Sequence, residues 1–160
     1  MFDVRSVFAA LRRRPGPRNA FERGVVALDA GRHEEALDEF EAARREAPEA
    51  RDEAAAHNKR GVVLIALVRR HEALEAFSLA LDRDAECAPA LVNIGNVLLE
   101  DDHVLDAVDY YEAAIRADAG YPMAHRNLGV AFKRLGRRGD AVRAFRAAAR
   151  LEGRQPLRRA

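Results

Sequence analysis

Residues 88–121 read APALVNIGNVLLEDDHVLDAVDYYEAAIRADAGY, and residues 122–155 read PMAHRNLGVAFKRLGRRGDAVRAFRAAARLEGRQ. Set one under the other without a gap, Gly95 meets Gly129, Ala107 meets Ala141, Tyr111 meets Phe145 and Ala114 meets Ala148. The same set recurs upstream as Gly61, Ala73, Phe77 and Ala80, and again as Gly24, Ala36, Phe40 and Ala43. The four aromatics stand 37, 34 and 34 residues apart. A fixed period of this length marks a stacked repeat architecture. Ala, aromatic and Ala at i, i+4 and i+7 share one helix face. The glycine lies twelve residues before the first alanine, inside the preceding helix. Small side chains at both points let the two helices of a pair approach closely, and the aromatic fills the space beside them. Polar residues and breakers separate the helices at Asp29-Ala30-Gly31, Asp101-Asp102-His103 and Gly136-Arg137-Arg138-Gly139. The predicted fold class is all-α, a string of antiparallel helix pairs with no strands.

These residues resemble the tetratricopeptide repeat, whose pattern is W-x2-L-G-x2-Y, then A-x3-F, then P. The last copy reads His125, Leu128, Gly129, Phe132, Ala141, Phe145 and Gly153; the third reads Leu91, Ile94, Gly95, Leu98, Ala107, Tyr111 and Ala119. The second reads His57, Arg60, Gly61, Leu64, Ala73, Phe77 and Ala85, and the first Ala20, Arg23, Gly24, Ala27, Ala36, Phe40 and Pro48. No copy keeps the Trp, and Arg23 and Arg60 replace the usual Leu. The resemblance implies an α-solenoid of four antiparallel helix pairs wound as a right-handed superhelix. It covers residues 17–155 as one domain, with repeats at 17–50, 54–87, 88–121 and 122–155. Three extra residues separate the first two copies, and Pro48-Glu49 followed by Asp52 and Glu53 resembles an acidic first turn. The first helix of repeat two is therefore expected to start a turn early, near Glu49.

The 160 residues are enough for one domain, and 49% hydrophobic with 33% charged residues suits a folded helical protein. No apolar run approaches a membrane span. Cys87 is the only cysteine, so no intramolecular disulfide forms; the expected compartment is reducing and cytoplasmic. The net charge of +1 hides segregation: residues 17–53 hold six basic and eleven acidic side chains, residues 88–121 one and seven, and residues 122–160 eleven and two. Two readings of this stand open: mutual pairing between neighbouring helices or a solvated convex face, and a dedicated anion-binding surface.

Both ends carry expectations. Val4, Val7, Phe8 and Leu11 follow helical spacing, and Arg12, Arg13 and Arg14 suit the negative end of a helix dipole. Residues 1–16 are thus expected to form a short amphipathic helix closed by Pro15-Gly16-Pro17, with basic residues after the apolar run, the reverse of a signal peptide. It either packs on repeat one or docks on a membrane surface or partner through residues 3–14. Residues 156–160 form a basic tail.

Chemistry has few candidates. The five histidines form no HExxH and no zinc spacing, Gly136–Gly139 is not a phosphate loop, and Ser6 and Ser78 are the only serines. The carboxylates Glu100, Asp101, Asp102, Asp106 and Asp109 lack the rhythm of a calcium loop. No enzyme activity, cofactor or metal is expected.

The resemblance implies instead that the first helix of each pair lines a concave groove for an extended peptide or helix. Carried onto this chain, its places are Phe21 and Val25; Asn58, Lys59 and Val62; Val92, Asn93 and Asn96; and Arg126, Asn127, Val130 and Lys133. Asn93 and Asn127 are 34 apart and are expected to stack as neighbours, an amide offering both donor and acceptor to a peptide backbone. The expected partner is a protein or peptide with apolar residues beside an acidic patch. The alternative is a charged adaptor attaching to anionic lipid or nucleic acid through repeat four and the amino-terminal helix. Thin aromatic interleaving, Phe132 and Phe145 both being motif core, speaks against base stacking. Self-association through the end layers is a third.

Overall fold

The structure is a computed structural model that describes residues 19–153; the helix expected within residues 1–16 and the tail 156–160 lie outside them. Eight helices pair off among the described residues: α1 (Ala20–Asp29) with α2 (His33–Glu46), α3 (Ala50–Ala66) with α4 (Arg70–Arg83), α5 (Ala88–Glu100) with α6 (Val104–Ala117), and α7 (Pro122–Arg134) with α8 (Arg138–Glu152). No strand occurs among them.

Local chemistry starts and stops each helix. Asn19 caps α1 by accepting the Glu22 N–H at 2.8 Å, and Pro89 and Pro122 sit in the first turns of α5 and α7, where an N–H is dispensable. The second helices begin after Arg32, Arg69, His103 and Arg137, each facing an acid three residues on (Glu35 at 2.8 Å, Glu72 at 2.6 Å, Asp106 at 3.7 Å, Asp140 at 2.7 Å). Those acids also lie in the first turn, where the helix dipole favours them. The first helices end in a left-handed residue at equivalent places: Gly31, Val68, Asp102 and Gly136, with φ of 70°, 62°, 63° and 72°. Glycine serves this place without steric cost. Repeat two makes the same turn with a β-branched residue, and its sequence carries no breaker there.

Each pair is held by a glycine pressed against the aromatic of its partner helix. A Cβ placed on Gly24 would lie 2.7 Å from Phe40 Cε1, one on Gly95 2.6 Å from Tyr111 Cε1, and one on Gly129 2.7 Å from Phe145 Cε1; Gly61 stands closer still to Phe77. No side chain fits, so close approach, not backbone torsion, demands glycine here. Phe40, Phe77 and Tyr111 are wholly enclosed (0%, 1% and 0% exposed), each burial stabilising by about 1.5–3 kcal/mol.

The first junction departs from the others. Helix α3 begins at Ala50 after Glu49, as expected from the insertion, and runs 17 residues against 13 in α5 and α7. Arg44 holds the place of Leu81 and Ile115 and pairs with Glu41 at 2.7 Å and Glu53 at 3.6 Å. Arg60, in a Leu place of the motif, lies 3.8 Å from Glu41, and Arg23, in the other, binds Glu39 at 2.7 Å. Ion pairs thus replace apolar contact at this end of the stack.

Successive first helices touch, α3 against α5 and α5 against α7, whereas the second helices of neighbouring pairs make no comparable contact. Crowding on one side and splaying on the other bends the stack around the first-helix face.

Candidate functional site

The first-helix face carries a row of amides tied backwards from repeat to repeat. Asn93 Nδ2 donates to Asn58 Oδ1 at 2.8 Å, and Asn127 Nδ2 donates to Asn96 Oδ1 at 2.6 Å. The same Asn96 oxygen accepts the Tyr111 hydroxyl at 2.9 Å. Burial holds that phenol well above its usual pKa, so it remains a donor. Asn93 and Asn127 each reach to the repeat before their own. Among the described residues their Oδ1 atoms accept no hydrogen bond. Asn58 (6% exposed) and Val92 (3%) lie beneath the surface.

Between α3 and α5 the face sinks into a hollow of about 140 Å³ lined by Val62, Ile65, Phe77, Asn93, Asn96, Val97 and Glu100. Ile65 and Glu100 were not among the residues expected from sequence. Ile65 lies three positions after Val62 on the same helix, the spacing by which it could have been found. Lys59 is half-buried on α3, and Val130 and Lys133 are exposed on α7. Phe21, at the amino end, is turned onto Phe40 in an edge-to-face contact with ring centroids 5.6 Å apart.

The charges of this face are partly spent. Arg126 binds Glu152 at the end of α8, and Arg134 donates to the Leu99 carbonyl at 2.6 Å and lies 4.0 Å from Asp102. Arg70 grips Glu100 and Asp101, each at 2.8 Å, and the Val97 carbonyl at 2.7 Å. Among the described residues Lys133 has no carboxylate partner. Mutual pairing thus accounts for only part of the acidic repeat three, and it reaches back to repeat two more than forward to repeat four.

The five histidines are spread along the pairs. His57 is buried, its Nδ1 without a partner and its Nε2 3.8 Å from Glu53. Burial, and then Arg60, hold its pKa below the ordinary value. His33 is half-buried, also with Nδ1 unpaired. Among the described residues no three of His, Cys, Asp and Glu gather as a metal-ligand set, and no helix is long and apolar enough to cross a membrane.

The family description "Tetratricopeptide repeat" matches residues 5–51, 22–89, 58–122 and 92–156. No curated protein matches the chain. Among solved structures it is similar to MamA, at 21% identity and a TM-score of 0.66, over 93% of this chain and 86% of that one. It is also similar to YrrB, described as a TPR protein with an unusual peptide-binding site, at 23% identity and a TM-score of 0.62, over 85% and 69% of the two chains. A third is the second TPR of Spaghetti (RPAP3) bound to the HSP90 peptide SRMEEVD, at 21% identity and a TM-score of 0.60, over 71% and 93%.

Proposed function

Because the chain belongs to the tetratricopeptide repeat family, we propose that it is a non-enzymatic interaction scaffold that holds a segment of a partner protein along its first-helix face. The observation that carries this reading is one juxtaposition. Asn93, whose Oδ1 accepts no hydrogen bond among the described residues, lines a hollow whose other lining is mainly apolar. A peptide crossing there would bury an apolar side chain between Val62, Ile65 and Phe77 while its backbone N–H meets the amide oxygen. Further along, Asn127 repeats the acceptor and Lys133 supplies an unpaired positive charge, which suits a carboxylate on the partner. The fold of two neighbours described with peptide sites supports the same class of ligand, and the peptide on one of them mixes Met and Val with Glu and Asp. The lone Cys87 leaves a reducing, cytoplasmic compartment as part of this proposal.

The test is recovery of partners by pull-down, then titration of the captured segment against Ile65→Glu and Lys133→Glu. Ile65→Glu should weaken binding by about tenfold or more, since it places a charge in an apolar contact. Lys133→Glu should weaken it in a way that fades as salt rises. Undiminished binding to both variants overturns the groove. Binding that instead follows anionic vesicles or nucleic acid, steeply salt-dependent and indifferent to Ile65, would favour the charged adaptor.

A further inference from the structure

Three of the four repeat aromatics are sealed, and the fourth is not. Phe145 is 37% exposed and Val142 47%, where its counterpart Val108 is 7%. The sealed ones share their clusters with the first helix of the following pair: Phe40 with Val63, Phe77 with Val97, Tyr111 with Ala131. Beside them Ala43 packs with Ala56, Ala80 with Ala90 and Ala114 with Ala124. The covering residues are thus always seven apart on one helix (Ala56 and Val63, Ala90 and Val97, Ala124 and Ala131). Nothing among the described residues plays that part for Phe145, while Ala148 beside it is only 3% exposed.

Two ion pairs, each made at a single junction, mark where the charges of a covering helix fall. At the first junction Glu41 lies 3.8 Å from Arg60, four residues after Ala56. The equivalent of Glu41 at the open end is Arg146. At the second junction Arg70 binds Glu100 and Asp101, which follow Val97 by three and four residues. The equivalent of Arg70 is Arg138. Both arginines are exposed, and neither has a carboxylate partner among the described residues.

We propose that the outer face of α7 and α8 seats an acidic amphipathic helix of a partner protein, lying as α5 lies on α4. That helix carries a small residue over Ala148 and an apolar residue seven later over Phe145. A carboxylate four after the small residue meets Arg146, and carboxylates three or four after the apolar residue meet Arg138. Two candidates from the sequence do not fit. Residues 154–160 hold Arg154, Arg158, Arg159 and Pro156 and no acid. In a second copy, α5 has the small residue, the apolar residue and the acids after it but Ile94 where Arg146 needs a carboxylate, and its Ala90 (0% exposed) and Val97 (3%) are already spent inside the stack.

The probe is a fluorescent synthetic peptide of residues 88–101 carrying Ile94→Glu, to meet Arg146, and Gly95→Ala, since that glycine serves only Tyr111. Anisotropy titration against the full chain should show saturable binding. Arg138→Glu with Arg146→Glu should weaken it by about tenfold or more, as should Val142→Asp, while Ile65→Glu leaves it unchanged. No binding, or binding equal in the double charge reversal, overturns the proposal. So does binding lost in Ile65→Glu, which moves the peptide to the groove. Ending the chain at Gly153 should change nothing; a tenfold gain would assign the face to the tail. A sedimenting mass that grows with concentration, and does so no longer in Val142→Asp, would assign it to a second copy. The groove is read at Ile65 and Lys133, so either reading can fail alone.

Discussion

The Tyr111 hydroxyl and the Asn96 side chain join a core aromatic to the surface of the groove through one hydrogen bond of 2.9 Å. The same Asn96 oxygen receives the Asn127 amide at 2.6 Å, so one acceptor ties α6 and α7 to α5. Asn96→Ala should cost about 1–3 kcal/mol, because it strands two donors, one of them deep in the stack. Tyr111→Phe removes one of those donors and should cost less on its own. A double-mutant cycle of the two, followed by chemical denaturation, should show coupling between them.

Gly95→Ala should destabilise by about 1–3 kcal/mol, because the new methyl would meet Tyr111 at 2.6 Å. In a Tyr111→Ala background the same change should cost almost nothing. An equal cost in both backgrounds would show that helix packing, not this contact, requires the glycine.

Phe77→Ala and Tyr111→Ala should each cost about 3–5 kcal/mol. Phe145→Ala should cost clearly less, since 37% of that residue already meets water. Denaturation midpoints of the three variants give the comparison.

Val68→Gly should stabilise by about 1 kcal/mol. A β-branched residue at φ 62° is strained, and its 87% exposure means that little packing is lost with the side chain. Gly31 and Gly136 already show the preferred residue at this place. An unchanged or lower melting temperature would contradict the strain.

His57 links stability to pH. Its folded-state pKa is depressed by burial and by Arg60, Arg44 and Arg83, with Glu53 opposing. Below the unfolded pKa, about 6.5, the unfolded chain binds the proton more readily. This contribution is therefore complete above that pH and is lost as pH falls through it. Melting followed between pH 7.5 and 5.5 should fall more steeply for the natural chain than for His57→Leu. Parallel curves would remove His57 as the cause.

The helix pairs were legible because their packing needs unmistakable residue types. Gly24 and Phe40, and their equivalents, admit few substitutes at contacts this close, so they repeat in phase. The turn at Val68 was not legible, since a left-handed backbone imposed by the stack overrides a residue with no preference for it. The exposure of Phe145 was hidden because an identical motif has a different fate where no further helix among the described residues covers it. The groove places were legible as positions, but not the bonds between them. Whether Asn93 reaches Asn58 or Asn127 depends on how neighbouring helices are offset, and spacing along one chain does not encode that. Glu100 joins the hollow for the same reason, whereas Ile65 follows from its spacing to Val62 on one helix.

The ion-paired first junction sets an order of opening along the stack. From Ala88 to Ala144 a continuous apolar core links the last two repeats, while repeat one is fastened to α3 through small patches around Phe40 and Ala43. In a chain whose units couple only to their neighbours, an end unit held on one side only opens before the middle. Amide protons of α1 and α2 should therefore exchange through a sub-global opening that leaves α5 to α7 closed. A partner lying along the whole row would suppress that opening, and the largest gain in protection would fall on α1 and α2, far from Lys133.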